Sequence, residues 1–65
     1  MRIVVNGERQ DTRATTLAEL CAALGLGNAK VATAVNGDFV PASARDGRML
    51  TQNDHIEIVS PRQGG

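Results

Sequence analysis

The chain has 65 residues, enough for one domain whose core is too small to enclose a deep substrate pocket. Its seven basic and seven acidic side chains cancel, so there is no net field to hold a nucleic acid or an anionic membrane, and we expect neither as a partner. A single cysteine excludes an intramolecular disulfide. The single cysteine and the lack of a signal-like apolar run near the N-terminus together predict a cytoplasmic protein.

The chain begins with a predicted β-hairpin. A β-branched run at residues 2–6 and a polar run at residues 8–13 flank Asn6-Gly7. This dipeptide suits the two positive φ angles of a type I′ turn. Because the second run is polar, we expect that strand to form an edge of the sheet.

One longer helix follows. Its apolar residues recur at the spacing of a single helical face: Leu17, Leu20, Cys21 and Leu24. Thr16 and Glu19 have the spacing of a capping box, in which each side chain satisfies a free N–H of the first turn. Gly25 is predicted to end the helix.

The second half of the chain predicts three more strands. Residues 31–35 and 39–40 flank a second Asn-Gly turn at Asn36-Gly37. Residues 42–47 have room for one turn of 3₁₀ helix. Residues 55–60 alternate polar and apolar side chains, as in a strand with one buried face.

These elements predict an α+β domain of order ββαβββ, with one sheet covering one helix in a β-grasp arrangement. The first and last strands are strongly apolar and should lie in the middle of the sheet. The expected core residues are Ile3, Val5, Leu17, Leu20, Cys21, Leu24, Leu26, Val31, Val35, Leu50, Ile56 and Ile58.

The sequence contains none of the usual catalytic or metal-binding patterns, so we expect neither an enzyme nor a metal site. Cys21 lies among apolar helix residues, which favours packing over nucleophilic chemistry. His55 is expected to be a solvated edge residue. The scattered acidic residues are interpreted as solvating charges: Glu8, Asp11, Asp38, Asp46 and Asp54.

The end of the chain is the remaining candidate site. We predict a domain over residues 1–60 and a flexible tail over residues 61–65 that ends in Gly64-Gly65. Two residues without Cβ atoms allow a terminal carboxylate to pass through a channel only as wide as the backbone. A ragged terminus is the alternative explanation.

Together these motifs resemble the ThiS family, the sulfur carrier proteins of thiamine biosynthesis, which have a ubiquitin-like β-grasp fold. The resemblance is carried by Gly64-Gly65, by residues 35–37 followed by Val40-Pro41, and by residues 53–59. Asn53 stands where the family usually has glycine, and asparagine tolerates the same left-handed conformation.

The resemblance implies a reaction at the Gly65 carboxyl. An E1-like adenylyltransferase would activate that carboxyl with ATP and Mg²⁺, and a sulfur donor such as a cysteine desulfurase would supply sulfur for a thiocarboxylate. Thiazole synthase would then take the sulfur. Arg62, Gln63 and Gly64 would enter the partner's site, and the carrier itself would bind no cofactor.

Partner docking is predicted on three apolar residues left over from the core, Phe39, Met49 and Val59. The alternative is that all three are ordinary core residues.

Other functions also remain open. The chain could be the small subunit of molybdopterin synthase or a carrier in another sulfur-transfer pathway, a ubiquitin-like modifier, or a non-covalent ubiquitin-like binding module.

Overall fold

The computed structural model describes residues 1–60. The predicted boundary after residue 60 and the predicted flexibility of residues 61–65 lie outside the described residues. In chain order the elements are β1 (Arg2–Val5), β2 (Glu8–Asp11), α1 (Leu17–Ala23), β3 (Ala32–Val35), β4 (Asp38–Val40), a 3₁₀ helix (Ala42–Gly47) and β5 (His55–Val59). The predicted element order is confirmed, and the 3₁₀ helix is longer than the single turn expected.

The strands form one mixed sheet in the order β2-β1-β5-β3-β4. β5 runs parallel to β1 and antiparallel to β3, and the two hairpins form antiparallel pairs on either side. The last strand is therefore central, the first is its neighbour and the polar β2 is an edge. All three placements were expected from the distribution of apolar residues.

Both Asn-Gly turns have the predicted backbone conformation. φ is +50° at Asn6 and +86° at Gly7, and it is +51° at Asn36 and +87° at Gly37. Positive φ at two successive residues gives a turn whose twist matches that of the adjoining strands.

Helix α1 has the predicted N-cap, and the predicted Gly25 follows its C-cap residue, Leu24. The Thr16 hydroxyl accepts a hydrogen bond from the Glu19 N–H at 3.1 Å. The Glu19 carboxylate bonds to the backbone N–H and hydroxyl of Thr15, one residue before the cap, and these bonds lower its pKa. Gly25, at φ +79°, and Leu26 donate backbone bonds back into the last helical turn, which closes the helix as a Schellman motif.

The core lies between α1 and one face of the sheet. Its buried residues are Ile3, Val5, Ala14, Leu17, Leu20, Cys21, Val35, Val40, Leu50, Ile56 and Ile58. Leu26 and Val31 are only partly buried. The prediction that Leu24 is a core residue is wrong, because the helix ends at Ala23 and Leu24 becomes an exposed C-cap residue. Ala14 and Val40 join the core instead.

Candidate functional site

The central strand β5 is the last element before the candidate tail. Val59 ends this strand, and Gly65 follows six residues later. The predicted tail residues Arg62, Gln63, Gly64 and Gly65 lie outside the described part of the chain. Because β5 pairs on both sides, the segment after it starts from a strand anchored by two neighbours.

Both ends of β5 are held by asparagine side chains from the hairpin turns. The Asn6 amide oxygen accepts from the Ile58 N–H at 2.9 Å, and the Asn6 amide nitrogen donates to the Ile58 carbonyl at 3.0 Å. At the other end, the Asn36 amide oxygen accepts from the His55 N–H at 2.9 Å. The turn motifs do not reveal these side-chain bonds, because the bonded partners are 52 and 19 residues away along the chain.

Asp54 fixes the turn that leads into β5. It is 6% exposed, so its assignment as a solvating charge is wrong. Its carboxylate accepts bonds of 2.9 Å from the Thr51 N–H, the Thr51 hydroxyl and the Asn36 amide. Burial alone would raise the pKa of Asp54, but these donors and the positive charge of Arg48 together hold that pKa below its ordinary value.

A second network anchors the 3₁₀ helix to β3 and was also missed from sequence. The Arg45 guanidinium donates to the Thr33 hydroxyl at 3.0 Å and to the Val31 carbonyl at 2.6 Å. The buried Thr33 hydroxyl in turn donates to the Val40 carbonyl at 2.7 Å. This network holds the 3₁₀ helix against β3 and β4, at the opposite end of the sheet from the edge strand β2.

The face of the sheet opposite α1 is not covered by any element of residues 1–60. The strand register brings together on it five residues, which we call the open face: Ala32, Ala34, Phe39, Glu57 and Val59. Each alternates along its strand with a residue that is buried on the helix side. Val59, a residue of the open face, is the last residue of β5 and is followed by the segment that leads to Gly65.

The three predicted docking residues are all exposed, by 70% for Phe39, 60% for Met49 and 58% for Val59. The alternative that they are core residues is therefore wrong. Phe39 and Val59 share the open face, whereas Met49 lies outside the five strands in an isolated bridge with Thr16 at the start of α1. The structure thus brings two of the three together, and their role in docking stays a prediction.

The remaining candidates for chemistry are positioned as follows. Cys21 is buried in the core, as expected. His55 is exposed, also as expected, but on the central strand and not at an edge. Within residues 1–60, no three His, Cys, Asp or Glu side chains are grouped in a way that could hold a metal ion. None of the described helices has the length and apolar character to cross a membrane.

Comparison with known proteins identifies the family. No curated protein matches the chain. A crystal structure of the thiamine biosynthesis protein ThiS from Geobacter metallireducens is 26% identical with a TM-score of 0.85, and the alignment covers all of both chains. An NMR structure of a thiamine biosynthesis protein from the same organism is 26% identical with a TM-score of 0.79, covering all of this chain and 88% of that one. The mixed five-stranded sheet with one helix matches the crystal structure, and the chain therefore has the ubiquitin-like β-grasp fold. The model of the ThiS family matches residues 2–65, and the chain therefore belongs to the ThiS family.

Proposed function

We propose that this chain is a sulfur carrier whose Gly65 carboxyl is adenylated and converted to a thiocarboxylate, which donates sulfur for thiazole formation in thiamine biosynthesis. The observation that carries the proposal is that the family match extends through residue 65, and so includes Gly64-Gly65. The Geobacter protein, of which both a crystal and an NMR structure match, is named for thiamine biosynthesis, which favours this pathway over molybdopterin synthesis.

The chemistry follows from the properties of a carboxylate. An anionic carboxylate is a poor electrophile, so the Gly65 carboxylate must first attack the α-phosphorus of ATP, releasing pyrophosphate and forming an acyl-adenylate. The outer sulfur of a persulfide on a donor such as a cysteine desulfurase then displaces AMP and forms an acyl disulfide. A second thiol attacks the donor's sulfur in that disulfide, which leaves the Gly65 thiocarboxylate and a new disulfide. When thiazole synthase transfers the sulfur to its substrate, an oxygen from the substrate or from water replaces it and the carboxylate is regenerated. The E1-like adenylyltransferase binds the ATP and Mg²⁺, so the carrier needs no cofactor or catalytic residue of its own.

The carrier contributes recognition and positioning. We propose that the adenylyltransferase docks on the open face, with Phe39 as the main apolar contact and Val59 beside the start of the tail. Arg62 and Gln63 would contact the partner's channel, and Gly64 would admit the terminal carboxyl. Met49 is a separate candidate contact beside the start of α1. These partners and a cytoplasmic location remain predictions.

The experiment is to incubate the chain with an adenylyltransferase, ATP, Mg²⁺ and a sulfur source, and then to measure its intact mass. The wild-type chain should exchange one oxygen for sulfur, and fragmentation should place the sulfur at Gly65. Deleting Gly65 moves the carboxyl back by about 3.5 Å of extended chain, so loading should vanish. Gly64→Val should nearly abolish loading, because a branched side chain restricts φ and obstructs a narrow channel.

Gly27→Ala is the control for glycine replacement within the domain. A Cβ at Gly27 would lie 4.0 Å from the nearest atom, the Ala22 Cα, and φ is not in the left-handed region, so this variant should fold and load normally. Sulfur found on the Gly65 deletion at an internal position would refute the carrier proposal. A non-covalent binding module would then be the better explanation.

A further inference from the structure

The Asn6 side chain replaces strand contacts that β1 cannot supply. β1 ends at Val5, and the chain turns away at Asn6-Gly7. The Asn6 N–H still donates to the Ile56 carbonyl at 2.9 Å. The next β5 groups on that side are the N–H and carbonyl of Ile58, and both are bonded by the Asn6 amide. The side chain therefore extends the β1–β5 pairing by two hydrogen bonds.

We infer that Asn6 is a positioning residue for the reaction at Gly65: its amide holds the end of β5 and so determines where the chain leaves the sheet. The inference rests on the proposed function. Without the amide, the last bond from the β1 side would be at Ile56. The reacting carboxyl would then be two residues, about 7 Å of extended chain, farther from the last residue fixed on that side. Val59 on the open face would also be held less firmly.

Asn36 provides a matched control. It occupies the same position in an equivalent turn, with φ +51° against +50° at Asn6, and its side chain also bonds to β5. It acts at His55, however, the end of β5 remote from Gly65. Asn36 additionally bonds to the buried Asp54, so its loss should reduce overall stability at least as much as the loss of Asn6.

The experiment compares Asn6→Gly with Asn36→Gly, since glycine keeps the positive φ of each turn and removes only the side chain. In Asn6→Gly, hydrogen exchange at the Ile58 amide should accelerate. The KM of the adenylyltransferase for the carrier should rise about tenfold, or about 1.4 kcal/mol, because docking must then order the end of β5 that the Asn6 amide holds in the wild-type carrier. The kcat should stay within about twofold, because a docked carboxyl reaches the same reacting position.

Asn36→Gly should keep its KM within about twofold of wild type even where its melting temperature is lower. Asn6→Asp keeps the acceptor for the Ile58 N–H but sets a carboxylate oxygen against the Ile58 carbonyl, so its KM should also rise above that of wild type. This variant also tests the inference if Asn6→Gly does not fold.

Three results would overturn the inference. The first is that Asn6→Gly has the same KM as wild type, or, if only Asn6→Asp folds, that Asn6→Asp does. The second is an equal rise in KM in Asn36→Gly, which would trace the effect to general destabilisation. In both cases the wild-type carrier still gains sulfur at Gly65, so the proposed function stands. The third is a wild-type chain that gains no sulfur at all, which overturns the proposed function and the positioning role together.

Discussion

Replacing Asp54 with asparagine should destabilise the fold although the two side chains have almost the same shape. The Asp54 carboxylate accepts three hydrogen bonds and has no donor of its own. In Asp54→Asn, one oxygen becomes an NH₂ group that faces a donor. It faces either the Thr51 N–H or the Asn36 amide nitrogen. Turning the Asn36 amide to compensate would break its bond to the His55 N–H.

The magnitude follows from burial and from the number of donors. Leaving a buried donor without a partner costs about 1 to 3 kcal/mol, and bonds to a charged group lie toward the upper end. We therefore expect Asp54→Asn to lose about 2 kcal/mol of unfolding free energy, or about 8 to 16 °C in melting temperature for a domain of this size. A 65-residue domain has on the order of 3 to 10 kcal/mol in total, so the loss is large.

The stability lost in Asp54→Asn should depend on pH, and the lowered pKa of Asp54 gives the direction of that dependence. The folded-state pKa of Asp54 lies below its ordinary value of 3.8, so the unfolded chain binds a proton more readily than the folded one. The stabilisation is therefore complete above the ordinary pKa and is lost as pH falls through the lower folded-state pKa. Above about pH 5 the two proteins should differ by a constant amount, and below pH 3.8 the difference should shrink.

The assay is thermal or urea unfolding of wild type and Asp54→Asn from pH 7 to pH 2.5. Glu19, whose pKa is also lowered, is present in both proteins, so its titration cancels in the difference. A difference in unfolding free energy that stays constant down to pH 2.5 would show that the Asp54 charge does not stabilise the fold.

Two further substitutions test the assignments of core and surface. Cys21→Ala should cost about 1 to 2 kcal/mol of stability by opening a small cavity, measured by urea unfolding, and should leave sulfur loading intact; loss of loading in the folded variant would make Cys21 part of the chemistry. Phe39→Ala should change the unfolding free energy by no more than about 0.5 kcal/mol, because the side chain is 70% exposed. It should weaken binding to the adenylyltransferase about tenfold by calorimetry, and unchanged affinity would remove Phe39 from the docking surface.

The local elements could be predicted because each is specified by a few neighbouring residues. Two Asn-Gly pairs define the hairpin turns, and Thr16 with Gly25 bounds the helix. The alternation of polar and apolar residues in β5 shows which side chains face the helix. In each case the relevant contacts lie within a few positions along the chain, so a sequence pattern is sufficient.

One error is local: Leu24 fits the helical spacing, but the helix ends one residue earlier and exposes it. The other errors arose where distant residues determine the outcome. Asp54 resembles any acidic residue in a turn until the second hairpin brings the Asn36 amide against it. Among the predicted docking residues, Met49 is apolar like Phe39 and Val59, yet only the sheet register shows that it is not on their face.

The sequence by itself determined the element order and the polar edge strand, because patterning and turn chemistry are local properties, and its apolar content placed the last strand in the middle of the sheet. The family was indicated by the resemblance of its motifs and is shown by the family match. Only the tertiary structure decided how β5 is held and which face stays open. The Asn6 amide and Ile58 are 52 residues apart, and their two bonds exist only once β1 and β5 lie side by side. Such pairings depend on the register between strands, which no short segment of the chain encodes.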